Sequence, residues 1–243
     1  MKKLVIIILF FAAYSFAQNV KSFTAFSCAS IVTNQTELSL NEKLVNQVND
    51  AFLEAMNKSG SYSLNIGGDK SKNPKNLFEI LQLIDSRADS NDLGIYTIIG
   101  AWRPMGNAEY SLTNSENLSV TFSYIMNFMR INPAKNQLLI LLMPKGYTIP
   151  PGAIAQKPSP TSPGVNVMFI SQSSQSSFED LVSDYISAIE SIDNGPDSDL
   201  NRDRMINVTE MLKQIEKSLT EEKIRFETVH LVSGPELNLR EVK

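Results

Sequence analysis

The chain is poor in the residues that do most enzymatic chemistry. Its 243 residues contain one cysteine, Cys28, and one histidine, His230. A lone cysteine excludes an intrachain disulfide. A lone histidine excludes the histidine clusters that hold catalytic zinc, and a Ser/His/Asp set would have to recruit His230. Basic blocks are also missing. The formal charge is −4, and an acidic chain with no run of Lys or Arg argues against nucleic acid or an anionic membrane as partner. Gly67-Gly68-Asp69 is not followed by Gly-Lys-Ser/Thr, so it reads as a turn and not as a phosphate loop. Nowhere does an apolar run approach the ~20 residues of a membrane span.

What is present begins with a secretory signal peptide over residues 1–17. Lys2 and Lys3 form its basic start, Leu4 to Ala13 its apolar stretch, and Ser15-Phe16-Ala17 a small-x-small cleavage site before Gln18. Cleavage removes both lysines and takes the formal charge from −4 to −6. The mature protein is therefore expected in the periplasm or outside the cell. Cys28 lies too far past the apolar stretch for a lipoprotein site and reads as a small buried hydrophobe on a strand. At 42% hydrophobic residues, the chain can bury a core of one α/β domain or two small ones.

Periodicity gives the order of elements. Phe23 to Ile31 reads as a strand, Leu40 to Met56 as a helix, Ser61 to Ile66 as a short strand and Asn76 to Ala88 as an amphipathic helix. Gly94 to Trp102 is a buried strand, Arg103 to Asn117 a loop and Leu118 to Ile131 a helix. Gln137 to Met143 is a continuous apolar run suited to a parallel sheet covered on both faces. Pro144 to Gly164, with six prolines, is a loop. Val165 to Ile170 is a strand, Phe178 to Ile192 and Met211 to Phe226 are helices, and Val229 to Val232 is a last short strand. This alternation predicts an α/β fold, a doubly wound and mostly parallel sheet with helices on both faces. Residues 18–193 would form its body, and residues 194–243 a loop, terminal helix and tail packed on it. In such sheets the working site lies at the carboxyl ends of strands, which points to the loops after Met143 and Ile170. Trp102 and Arg103, at the end of another strand, read as a partly buried Trp with its neighbour, or as the lining of a peptide groove. Asp85, Asp89 and Asp92 read as a solvated helix end and turn.

Asp199 to Glu210 carries oxygen-bearing residues at the spacing of a calcium loop. Asp199, Asn201, Asp203, Asn207 and Glu210 would offer side-chain oxygens and Met205 its carbonyl, with Ile206 turned into the core. The sixth position, normally glycine at positive φ, is Arg204, at a cost of about 1–2 kcal/mol. The same residues also allow a plain helix start, with Asn207 as N-cap and Glu210 at N3 of a capping box.

Three local patterns together resemble the caspase-like, legumain-type cysteine peptidases, in the form of exported bacterial proteins with a dockerin- or EF-hand-like calcium loop. The strand Asn136-Gln-Leu-Leu-Ile-Leu-Leu-Met-Pro-Lys-Gly146 resembles the family strand that ends in His-Gly. Val167-Met-Phe-Ile-Ser-Gln-Ser-Ser-Gln-Ser-Ser-Phe178 resembles the strand that ends in the nucleophilic cysteine. Asp199 to Glu210 resembles the calcium loop. The resemblance covers residues from about Ser61 onward and implies a peptidase scaffold without its dyad. Lys145 stands in the histidine's place. Ser173 stands in the cysteine's place, or Gln172 if the alignment slips by one. The expectation is a non-catalytic pseudoprotease that binds an unknown protein or peptide and carries a structural calcium. The alternatives are a hydrolase pairing Ser173 with Lys145, and a dockerin-like interaction module. The last is weakened because dockerins use two tandem loops.

Overall fold

The computed structural model describes residues 24–31, 42–57, 62–65, 81–82, 85–107, 109–113, 119–134, 136–146, 164–172, 177–192, 195–231 and 238–241. The expected signal peptide, the Gly67-Gly68-Asp69 turn and most of the proline-rich loop lie outside them. No helix among the described residues is long and apolar enough to cross a membrane.

A six-stranded sheet organises the chain. Its strands are β1 (Thr24–Ile31), β2 (Tyr62–Asn65), β3 (Leu93–Ile99), β7 (Asn136–Met143), β8 (Gly164–Ser171) and β10 (Arg225–Leu231), in the order β10-β8-β7-β3-β1-β2. Five run parallel, and β10 is antiparallel to β8. The apolar run Leu138–Met143 sits at the centre of the sheet, as its unbroken hydrophobicity requires. Leu138, Ile140 and Leu142 face one apolar cluster, while Leu139, Leu141 and Met143 face the other.

The first cluster is closed by helices α1 (Glu42–Asn57), α3 (Phe178–Glu190) and α4 (Val208–Glu221). Phe52 and Tyr185 meet edge-to-face within it, and the Tyr185 hydroxyl lies 3.4 Å from Thr97 Oγ1. Burial pushes the Tyr185 phenol well above its ordinary value. The second cluster is closed by α2 (Phe122–Ile131), by Leu81 and by a small antiparallel sheet. That sheet is β4 (Arg103–Gly106), β5 (Glu109–Thr113) and β6 (Ser119–Thr121). Gln137 bridges α2 to the sheet, its amide nitrogen donating to the carbonyls of Met129 (2.6 Å) and Ala134 (3.0 Å).

Glycine is required at one strand position. A Cβ at Gly94 would lie 2.7 Å from the hydroxyl of Tyr96. That ring is fully buried and packs edge-to-face on Phe128.

Several expectations are corrected. Arg103 to Asn117 is not simply a loop, because Arg103–Gly106 and Glu109–Thr113 pair as a hairpin with a bulge. The helix expected from Leu118 starts at Phe122, where the Thr121 hydroxyl caps it by accepting from the N–H of Tyr124. The terminal helix ends at Glu221, Lys223 takes positive φ, and Phe226 belongs to β10. Charged side chains at Arg225 and Glu227 hid this strand, since an edge strand tolerates them where a central one does not. Trp102 is fully buried against Phe122, not half-exposed, so it does not line a surface groove; Arg103 is exposed. Asp92 is buried and accepts from the N–H of Asp89, whereas Asp85 and Asp89 are solvated as expected.

Candidate functional site

Two places bear on the expected chemistry: the carboxyl ends of β7 and β8, and the Asp199–Glu210 loop. At the first, the parallel register pairs Met143 with Ser171. The Gln172 N–H donates to the Met143 carbonyl (3.1 Å), and the Lys145 N–H donates to the Gln172 side-chain oxygen (3.1 Å). Lys145 is exposed. The strand ends are thus tied by backbone and amide bonds, and the lysine chain stands in solvent. Ser173 lies outside the described residues.

The sheet order shifts where a crevice is expected. β2 lies on one side of β1, and β3, β7, β8 and β10 follow on the other. The switch in winding direction falls between β1 and β3, and ligand crevices in open α/β sheets form at such a switch. Sequence reasoning placed the site at β7 and β8 because adjacent apolar strands show in the sequence and their lateral order does not.

The same order separates the chain's two special side chains. Cys28 pairs with Tyr96, Tyr96 with Leu139, Leu139 with Val167 and Val167 with Val229. His230 follows Val229, so it lies one residue along β10 from the row that contains Cys28. Three strands stand between them. At about 4.8 Å per strand spacing, the two backbones are ~19 Å apart. A thiolate–imidazole pair needs contact within hydrogen-bond reach, about 3 Å, so these two residues cannot form a dyad within one copy of the chain.

In the Asp199–Glu210 loop, a short 3₁₀ turn (Pro196–Ser198) leads in, β9 (Met205–Asn207) leads out, and α4 follows directly. The Asp199 carboxylate accepts from the N–H groups of Asp203 (3.1 Å) and Arg204 (2.8 Å). Asn201 Oδ1 accepts from Asp203 N–H and Asp203 Oδ1 from Met205 N–H. Glu210 folds back across the loop. One of its oxygens accepts from Leu200 (2.8 Å) and Asn201 (3.1 Å), the other from Asn207 (3.0 Å). Asn207 Oδ1 accepts from Glu210 N–H, completing the capping box. Arg204 has φ 68° and Arg202 φ 60°, so Arg204 adopts the left-handed conformation that the sixth loop position requires. Ile206 is fully buried.

The donor set consists wholly of hard oxygens, which suits calcium and not a thiolate-seeking metal. Glu210 is 3% exposed and Asp199 8%. Five backbone N–H groups fall on these two carboxylates, fewer than the roughly eight lone pairs that they offer together. Asn201 and Asp203 are exposed, and the amide of Asn201 donates to Asp203. Among the described residues no group of three His, Cys, Asp or Glu side chains is gathered in ligand geometry. The structure therefore draws Asp199, Asn207 and Glu210 together through backbone N–H groups and leaves Asn201 and Asp203 on the rim.

One participant was missed by sequence reasoning. A C-terminal strand, β11 (Asn238–Glu241), pairs antiparallel with β9, matching Asn238 to Asn207, Arg240 to Ile206 and Glu241 to Met205. Four residues near a chain end give too short a pattern to read, and Leu239 was the only signal.

Comparison with protein-family models and with curated proteins finds no match to this chain. What fold and site define is a mixed α/β protein with a mostly parallel sheet and an oxygen-rich loop leading into its last long helix.

Proposed function

We propose that the protein is an exported, non-catalytic binding module built as a doubly wound, caspase-like sheet, with the Asp199–Glu210 loop as a structural calcium site. The observation that carries it is the separation of Cys28 from His230 across three intervening strands. A cysteine peptidase needs these two residue types side by side, and this chain has one of each. Helix packing on both faces of the sheet supports the doubly wound reading. The loop's all-oxygen donor set and the left-handed Arg204 support the calcium reading. Calcium there would be held by Asp199, Asn201, Asp203, Asn207 and Glu210 and by the Met205 carbonyl. It would supply charge neutralisation and a cross-link between the loop and α4. The partner bound by the module would be an unknown protein or peptide.

The test is an assay of the mature protein on a diverse peptide mixture, with and without calcium. No cleavage above the rate in buffer is expected. Cleavage that disappears on substitution of Cys28, His230 or Ser173 would overturn the proposal.

A second reading, a serine–lysine hydrolase, is favoured by one observation. Lys145 is bonded through its N–H to Gln172, the residue before Ser173. An activated serine paired with a lysine base would react with a fluorophosphonate probe. Labelling of Ser173 that is lost in Lys145→Ala would replace the first reading. Our proposal expects no labelling.

A further inference from the structure

We infer that the C-terminal strand β11 is the clamp that holds the Asp199–Glu210 loop closed, so that the tail and the loop open and close together. β9 is three residues long and, among the described residues, has a single sheet neighbour, β11. A three-residue strand has no stability of its own and depends on its partner. The pairing falls on the second half of the loop. Asn238 and Glu241 stand opposite Asn207 and Met205, two of the loop's oxygen-bearing positions, and Arg240 stands opposite the buried Ile206. Asn207 is also the N-cap of α4, so the tail docks where the loop becomes helix.

Leu239 gives the clamp its hold. It is 2% exposed and lies in the apolar cluster shared with α1, α3 and α4. Elsewhere in the loop, the bonds among Asn201, Asp203 and Met205 are exposed, where solvent competes for them, while those to Asp199 and Glu210 are buried or half-buried. Arg202 and Arg204 hold unfavourable left-handed conformations, which bias an unclamped loop toward opening. A four-residue strand held by the buried Leu239 is the kind of unit that opens below the global unfolding free energy. Displacing β11 from β9 would release the loop.

The inference does not rest on calcium, because the decisive measurement is made in chelator. Amide hydrogen exchange would be followed in the whole mature chain and in Leu239→Ala. A control, Leu219→Ala, removes an equally buried leucine from the far end of α4. In Leu239→Ala the amides of Asp203, Arg204 and Asn207 should exchange more than about tenfold faster, while those of Leu139 to Leu141 in β7 keep their protection. In Leu219→Ala the two sets should change together. Equal change of both sets in Leu239→Ala, or no change in the loop, would overturn the clamp. If Leu239→Ala unfolds outright, Arg240→Pro, which disrupts the ladder and keeps the leucine, supplies the same comparison. A calcium titration of both chains separates this inference from the function proposed above. Loss of a calcium response in the parent chain removes the metal and leaves the clamp standing.

Discussion

Glu109 shows how one carboxylate joins two elements. It sits on β5, and its oxygens accept from the N–H groups of Tyr110 (3.1 Å) and Ser123 (3.2 Å) and from the Ser123 hydroxyl. Ser123 is in the first turn of α2, whose N–H groups point outward and favour a negative charge. Slight burial pulls the Glu109 carboxyl upward. The hydroxyl and N–H of Ser123 and the N–H groups of Tyr110 and Phe122 outweigh that and hold it below its ordinary value. A depressed folded value means that the contact stabilises above the unfolded glutamate value of about 4.3 and is lost as pH falls through the lower folded value. Glu109→Gln should melt lower than the parent at neutral pH, and the gap should close as pH drops through that range. Melting curves at a series of pH values check this, and a gap independent of pH would mean that the contact is not electrostatic. Asp184 behaves in the opposite sense. Burial first, then the nearby charges of Glu222 and Asp180, raise its carboxyl.

At the scale of elements, apolar pattern was legible and pairing was not. Leu138 to Met143 and Val165 to Ile170 announce buried strands because both their faces are covered, and α3 shows its stripe at Leu181, Val182, Tyr185 and Ile189. The hairpin of β4 and β5 was hidden because all of β4 is exposed and carries Pro104. The loop after Asp199 was legible in its oxygens but ambiguous in its role. Both features written in it are compatible with one backbone, since Glu210 serves the capping box and reaches across the loop at once. A melt decides whether calcium adds to the cap. At a calcium concentration about a hundredfold above the dissociation constant, binding adds about 2.7 kcal/mol, or roughly 5–10 °C for a chain of this size. Asp203→Ala removes an exposed candidate ligand that accepts from Asn201 and Met205 within the loop. It should erase the calcium-induced rise while changing the melt in chelator by no more than a degree or two. Identical parent melts with calcium and with chelator would leave the loop as a helix start alone.

At the scale of the whole molecule, β2 and β10 are the two edge strands of the sheet among the described residues, and the chain treats them differently. β2 is kept to four residues. β10 is longer, runs antiparallel and presents Arg225 and Glu227 to solvent. Charge on a long edge is a standard guard against pairing with a second copy. Glu227→Val should therefore raise self-association, seen as a concentration-dependent rise in light scattering at neutral pH with little change in melting temperature. Unchanged scattering would show that the edge is protected by something other than its charge. The candidate site was least legible at this scale. Cys28 and His230 could be read from the sequence as the only residues of their kinds, but their distance depends on lateral strand order.

That order also sets how the chain reaches its final form. In β1, Ala25 must meet Leu93 and Thr24 must meet Tyr62, and each parallel contact forms only after a long crossover has been closed. Closure entropy precedes any stabilising contact, so sheets of this kind assemble slowly. The half from β3 through β8 has its strands in chain order and can collapse outward from its apolar centre. β1 joins β2 to that half, because it pairs with β2 on one side and with β3 on the other. If its insertion against β3 limits refolding, a substitution in β1 should slow folding, followed by stopped-flow fluorescence, more than an equally destabilising one in α4.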